Sequence, residues 1–158
     1  MDAKPVRDSR ITLTVLMGVG DANNLGNIHG GLIMKLCDEA AGMAATKHAR
    51  RPSVTVAVDS MFFHSPVHIG DLVTVQAEVT WVGRSSMETR VVVTAENVIG
   101  GETTHTNTAY FVYVALGENG RPIPVPPLIC ETEAEKENFA RAAARQAYRL
   151  DQRRQGNL

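Results

Sequence analysis

Asp38 draws attention first among the ionisable residues of this 158-residue chain, because it lies inside a segment of apolar helix formers. Neighbours such as Cys37 and Ala41 would hold it away from water, and burying a carboxylate is costly unless it is paired or used in chemistry. A carboxylate in that setting can act as a general base or as a nucleophile. The structural alternative is a hydrogen bond or an ion pair, for example with Lys35, and periodicity alone favours it.

A polar loop, GVGDANNLGNIHGG, leads into that helix and carries the next candidates. Gly30 and Gly31 open the helix, where N–H groups without obstructing side chains suit a developing oxyanion, although glycines also permit a tight turn. Asn23 could orient water or hydrogen-bond to a carbonyl group, but asparagine is common in turns for backbone reasons alone. Asn24 and Asn27 are interpreted as loop structure.

A second polar turn, VGRSS, contains groups that could bind an anion. Arg84 could give charge-assisted hydrogen bonds to a phosphate, with Ser85 and Ser86 beside it. An ordinary hairpin turn explains the two serines nearly as well. Cations also cluster at the end of the apolar helix, where the helix dipole alone accounts for them; they are Lys47, Arg50 and Arg51.

The elements that must position these groups follow from changes in hydrophobic period. Residues 10–17 alternate as a half-buried strand does, and residues 32–49 form a helix that is apolar around most of its circumference and must be wrapped. From residue 53 the period is two, with strands at 53–63, 71–82, 87–97 and 104–116. Short turns join the last three strands into an antiparallel meander. A twisted sheet around one buried helix is an α+β domain with the hot-dog architecture.

Composition excludes several classes of protein. The net charge of −1 provides no global field for nucleic acid or an anionic membrane. No apolar run is long enough to span a bilayer, and the first residues lack a secretory signal. Cys37 and Cys130 match no metal or redox spacing, so we expect reduced thiols in a cytoplasmic protein, with no metal and no cofactor.

The tail is predicted to form a separate extension. We assign residues 1–130 to the globular domain and residues 131–158 to a charged, alanine-rich helical extension that begins near Glu133. The alternatives for this helix are a narrow apolar stripe that rests on a neighbouring surface and a frayed terminal appendage. The members of the stripe are Phe139, Ala143, Ala147 and Leu150.

Three segments resemble the hot-dog acyl-CoA thioesterases: DANNLGNIHGGLIMKLCDEAAG, VTVAVDSMFFHSPVHIGDLV and WVGRSSMETRVVV. The resemblance runs from about residue 9 to residue 127. It implies a catalytic aspartate at Asp38 and an asparagine at Asn23 that the partner subunit supplies. A homodimer would therefore be required, and relatives of this type often form trimers of dimers. The GRSS turn is associated in such proteins with coenzyme A.

The resemblance also implies the reaction: hydrolysis of acyl-CoA to a fatty acid and coenzyme A. His29 is interpreted as a wall of the substrate site, because similar proteins have a plain aromatic residue there. His64 is expected to be structural, with contact to the substrate as the alternative. The length of the acyl chain would depend on groove residues such as Met61, Phe62 and Phe63.

Two rival functions remain open from the sequence. One is a hydroxyacyl dehydratase, in which His64 would pair with the helix acid Glu39. The other is an acyl-CoA sensor that keeps the groove without hydrolysis, since a fold does not determine chemistry. Retention of both Asp38 and Asn23 argues against a sensor, and the two loop motifs resemble the thioesterase branch.

Overall fold

The computed structural model describes residues 1–157, in which one antiparallel sheet wraps around a long helix. The strands are β1 (Lys4–Pro5), β2 (Ile11–Leu16), β3 (Ser53–Val58), β4 (Asp71–Val82), β5 (Ser86–Asn97), β6 (Thr103–Ala115) and β7 (Leu128–Ile129). The helices are α1 (Gly30–Ala49) and α2 (Glu133–Arg154). The five-stranded sheet has the order β2-β4-β5-β6-β3, and β1 pairs with β7 in a separate parallel ladder. The predicted helix and meander are confirmed.

The core lies between α1 and the concave face of the sheet. The helix contributes small side chains that let the strands approach closely, and alternate residues of β4 and β5 fill the remaining space as predicted. Fully buried members of this core include Cys37, Ala40, Ala41, Ala44, Ala45, Val73, Val75, Val91 and Val93. The helix was predicted to be wrapped around most of its circumference, but Met43 is 41% exposed, because the sheet leaves that flank of α1 uncovered.

Strand β3 is shorter than its sequence indicates. Alternation predicts a strand to residue 63, yet β3 ends at Val58 and Phe62 and Phe63 are largely exposed. Beyond Val58, the N–H of His64 donates to the carbonyl of Thr106 over 3.0 Å in place of a continued ladder. β3 is also an edge strand, since it pairs only with β6.

The face with which α2 meets the sheet differs from the prediction. Helix α2 begins at Glu133 as expected, where Thr132 caps it by accepting from the N–H of Glu135. However, Ala147 and Leu150 of the predicted apolar stripe are exposed, whereas Arg149 is buried. The apolar pattern failed because this helix docks through ionic groups.

Those ionic groups converge on Glu88, which lies in β5 and is 0% exposed. Arg145 donates to both of its carboxylate oxygens, at 2.7 and 3.1 Å, and Arg149 donates to one at 3.0 Å. Arg149 also donates to both oxygens of Asp59 at 2.9 Å, just beyond β3. The Arg145 guanidinium stacks 3.7 Å above the Tyr110 ring. The outer face of the sheet is thus joined to α2 by a buried charge network.

His48, near the end of α1, makes stability dependent on pH. Its ring is 1% exposed, Nε2 lies 2.9 Å from the Pro126 carbonyl, and Nδ1 has no partner among residues 1–157. Burial lowers the pKa of His48 below its ordinary value of 6.5. As the pH falls below about 6.5, His48 therefore becomes protonated in the unfolded chain while it stays neutral in the folded chain. The free energy of unfolding decreases until the pH is below the pKa of the folded state.

We expect His48→Gln to reduce the decrease in stability between pH 8 and pH 5. The measurement is the midpoint of urea unfolding at each pH. His105→Gln is the matched control, because His105 is exposed on β6. Parallel curves for the wild type and His48→Gln would contradict this prediction.

Candidate active site

The Asp38 carboxylate is hydrogen-bonded by two hydroxyl groups that face it from the sheet. Thr55 of β3 donates to Oδ1 over 2.7 Å, and Tyr113 of β6 donates to the same oxygen over 2.7 Å. The Tyr113 hydroxyl also lies 2.9 Å from the backbone carbonyl of Asp38. The alternative ion pair is not formed, because Lys35 pairs with Glu39 at 3.8 Å. The Asp38 carboxylate is therefore held by two neutral donors and not by a cation.

An open cleft of about 650 Å³ lies over this carboxylate. Asp38, Thr55 and Tyr113 line it together with two cations from the end of α1, Lys47 and Arg50. Arg50 has a left-handed φ of 53° at the helix C-cap, where it terminates α1 ahead of Pro52 as predicted. The cleft thus presents two carboxylates, those of Asp38 and Glu39, and two cationic side chains to the same space.

Asn23 lies in the loop before α1, and within residues 1–157 its side chain forms no hydrogen bond with Asp38. Its side-chain Oδ1 accepts from the backbone N–H of Leu25 at 2.9 Å and of Asn27 at 3.2 Å. The side-chain oxygen is therefore engaged in the turn, while the amide nitrogen makes no hydrogen bond within residues 1–157. The turn role and a binding role for Asn23 are compatible in this geometry.

The N-terminus of α1 borders a second cleft of about 320 Å³. Gly30, Phe63 and His64 line it, and no side chain caps the helix. The N–H groups of Gly30 and Gly31 have no acceptor within residues 1–157, so they are free to bind an oxygen from outside. A Cβ on Gly30 would meet the Phe63 ring at 3.6 Å, while Gly31 borders open space.

The predicted phosphate turn connects β4 to β5. Its backbone is fixed: the Ser85 carbonyl accepts from Ala115, and the Arg84 carbonyl accepts from Val125. The Arg84 side chain is exposed and forms no salt bridge with the described part of the chain. Ser86 begins β5, and both serines are half-buried. Arg84 alone of the three thus offers a free charge.

The histidines and Glu39 do not form a joint centre within the chain. His29 is the exposed N-cap residue of α1, next to the second cleft, and His64 stacks with His105 at 6.3 Å between ring centroids. Glu39 faces the Asp38 cleft and His64 the other one. The acid–histidine pair required by the dehydratase alternative is therefore not assembled by these contacts.

Sequence reasoning missed Thr55 and Tyr113 as site residues. Thr55 sits in a strand where threonine is common, and Tyr113 stands in an aromatic strand, AYFVYVAL, where a tyrosine is expected as core. Their roles arise only from the pairing of β3 with β6 across from α1.

Within residues 1–157 no cluster of three or more histidine, cysteine, aspartate or glutamate side chains is arranged to hold a metal ion.

None of the helices formed by these residues has both the length and the hydropathy needed to cross a bilayer.

Comparison with known proteins identifies the family. Residues 25–102, which include Asp38, match the family described as "Thioesterase superfamily". A Bacillus subtilis protein named "Uncharacterized acyl-CoA thioester hydrolase YkhA" is 39% identical over 129 residues, covering 82% of this chain and 75% of that protein. This chain belongs to the thioesterase superfamily.

Another relative of this superfamily member is longer than the chain. The "Cytosolic acyl coenzyme A thioester hydrolase" of Rattus norvegicus is 36% identical over 151 residues, covering 94% of this chain. The match covers 39% of the rat protein, so the chain spans less than half the length of that curated relative.

Solved structures of other superfamily members confirm the hot-dog fold. An "Apo-Hexameric Acyl-CoA Thioesterase" aligns with a TM-score of 0.92 and 38% identity, covering 96% of this chain and 97% of that one. The acyl-CoA hydrolase of Staphylococcus aureus in complex with butyryl coenzyme A, coenzyme A and coenzyme A disulfide aligns with a TM-score of 0.90 and 30% identity. That alignment covers 98% of this chain and 94% of the hydrolase.

Proposed function

We propose that this thioesterase superfamily member hydrolyses acyl-CoA to a free fatty acid and coenzyme A. The observation that carries the proposal is the Asp38 carboxylate, held on one oxygen by Thr55 and Tyr113 and open to a cleft with two cations. A fixed carboxylate beside a binding groove is what a hydrolytic reaction at a carbonyl carbon requires. The names of the relatives support the same substrate class.

In the proposed reaction, Asp38 takes a proton from water as the water oxygen attacks the thioester carbonyl carbon. The carbon–sulfur bond then breaks, the sulfur leaves as the coenzyme A thiolate, and the proton returns to that sulfur. Alternatively, Asp38 attacks the carbonyl carbon itself and the carbon–sulfur bond breaks, giving an anhydride and the coenzyme A thiolate. Water then cleaves the anhydride, which restores the Asp38 carboxylate, and the proton released goes to the thiolate. Both routes consume one water and release one carboxylic acid and one thiol.

We propose that the second half of the site comes from a partner subunit. Gly30 and Asp38 lie on one helix, and eight residues at 1.5 Å each separate them by about 12 Å. The free N–H groups of Gly30 and Gly31 are thus too far from their own Asp38 to polarise the same carbonyl group. Asn23, whose amide nitrogen makes no hydrogen bond within residues 1–157, lies in the loop before the same end of the helix.

The surface of β3 supports such a homodimer. Val54, Val56 and Val58 are each more than 40% exposed on an edge strand whose backbone is free to pair. We propose that two copies associate across this edge, which also carries Thr55. A trimer of such dimers would account for the hexameric state named for a structural neighbour.

Alanine variants of the Staphylococcus aureus hydrolase support the assignment of these residues. Its solved structures include variants at one asparagine, one aspartate and one threonine. The separations along that chain between the three mutated residues equal those between Asn23, Asp38 and Thr55 here.

Cations near the Asp38 cleft are proposed to hold the coenzyme A phosphates. Lys47 and Arg50 line the cleft itself, and Arg84 is an exposed charge with a rigid backbone. Ser85 and Ser86 are assigned to the same subsite as weaker contacts. His29 and His64 are proposed as walls of the acyl site, where His64 borders the cleft at the helix N-terminus.

The proposal predicts that the purified chain releases free thiol from acyl-CoA substrates. The measurement is a thiol-release assay with acetyl-, butyryl-, hexanoyl-, lauroyl- and palmitoyl-CoA, and the expected result is turnover with a preferred chain length. Binding of acyl-CoA without thiol release would contradict hydrolysis and favour a sensor. Hydration of an enoyl-CoA without thiol release would favour a dehydratase.

A further inference from the structure

We propose that Tyr113 is a positioning residue for Asp38, fixing Oδ1 so that Oδ2 is the oxygen that meets water or the thioester. This inference rests on the proposed function. The phenol lies 2.7 Å from Oδ1 and 2.9 Å from the backbone carbonyl of the same residue. One hydroxyl thus contacts both the side chain and the backbone of Asp38.

The Tyr113 ring has little freedom to move. It is 2% exposed and stacks against Phe111 with ring centroids 6.4 Å apart. Gly42, one turn after Asp38 on α1, lies beside the ring, and a Cβ there would be in van der Waals contact with it at 3.4 Å. The hydroxyl is therefore pre-positioned by packing.

The two oxygens of Asp38 are unequal as a result. Oδ1 accepts from both Tyr113 and Thr55, while no hydrogen bond within residues 1–157 reaches Oδ2. Burial and the adjacent Asp38 raise the pKa of Tyr113 well above its ordinary value of 10.0, so the phenol stays a protonated donor. A carboxylate with one oxygen fixed and one free presents a single defined oxygen to water or substrate.

The test compares Tyr113→Phe with Tyr110→Phe, which removes a hydroxyl from the same strand where the ring stacks on Arg145. We expect Tyr113→Phe to lower kcat roughly tenfold and to leave KM for acyl-CoA within about twofold. Tyr110→Phe should retain wild-type kcat. Thermal midpoints, measured alongside, should differ little between the two variants.

A second comparison tests whether the phenol acts through Asp38. Tyr113 and Thr55 hold the same oxygen, so their effects on kcat should be coupled. The factor by which kcat falls in the double variant Tyr113→Phe, Thr55→Val should therefore differ from the product of the factors for the two single variants. Thr55→Ser, which keeps the hydroxyl, should retain most of the activity.

Three outcomes would overturn the inference. Wild-type kcat in Tyr113→Phe, when Asp38→Ala is inactive, would remove the positioning role and leave the proposed function intact. If Tyr113→Phe lowered kcat, raised KM and lowered the thermal midpoint together, Tyr113 would be a packing residue and not a positioning residue. Absence of thiol release by the wild type would overturn the proposed function and this inference with it.

Discussion

Asp38→Ala is expected to reduce thiol release from acyl-CoA by about 10³-fold or more, because it removes the group that accepts the proton or attacks the carbonyl carbon. The measurement is kcat on the preferred substrate, with circular dichroism to check folding. Glu39→Ala is the matched control, since Glu39 is the next acid on the same helix and is bound to Lys35. Glu39→Ala should keep most of the activity. Equal losses in both variants would contradict the assignment of Asp38.

Mixing subunits that carry different substitutions tests whether the partner subunit supplies Asn23 to the site. Asn23→Ala and Asp38→Ala homomers should each be nearly inactive. In a mixed dimer, one of the two sites combines the intact Asp38 of one subunit with the intact Asn23 of the other. Random co-refolding of equal amounts should therefore restore up to about a quarter of wild-type activity, since half of the dimers are mixed and each has one intact site. No recovery would indicate that both residues act within one chain.

Arg149→Ala is expected to be the most destabilising substitution outside the core. It leaves Glu88, which is 0% exposed, with one of its two arginines and deprives Asp59 of its bidentate partner. Breaking a buried ion pair by removing one partner costs on the order of 3 kcal/mol. For a chain of this length that corresponds to a fall of roughly 6 to 12 °C in Tm, measured by differential scanning calorimetry.

The control for this substitution lies on the same helix. Arg141 pairs with Glu137 at 3.8 Å, and both side chains are about 70% exposed, so Arg141→Ala should change Tm little. If the two variants melted at the same temperature, the Glu88 network would carry no stability of its own.

Much of the fold could be predicted because its signals are local. Alternation identified the buried side of β4 through Val73 and Val75, and continuous apolarity identified α1 as the wrapped helix. Both patterns report burial of apolar area, which contributes most of the favourable free energy of folding. Asp38 was identified by the same reasoning, because it is a charged residue within an apolar helical segment.

The remaining features depend on contacts between distant residues. Thr55 and Tyr113 reach Asp38 from positions 17 and 75 residues away, and nothing in the local sequence marks either hydroxyl as a site residue. The buried face of α2 was predicted wrongly because hydrophobicity cannot anticipate an arginine that is buried by pairing with Glu88. Homodimer formation across β3 stays a proposal, although the exposed valines agree with it.

The buried charge network also imposes an order on folding during synthesis. Glu88 emerges from the ribosome well before its partners, because Arg145 and Arg149 follow it by 57 and 61 residues. Until α2 arrives, the outer face of β5 must keep that carboxylate hydrated, since burying it alone is prohibitive. The strands of the meander can pair early, but Glu88 can be buried against α2 only after that helix has been synthesised.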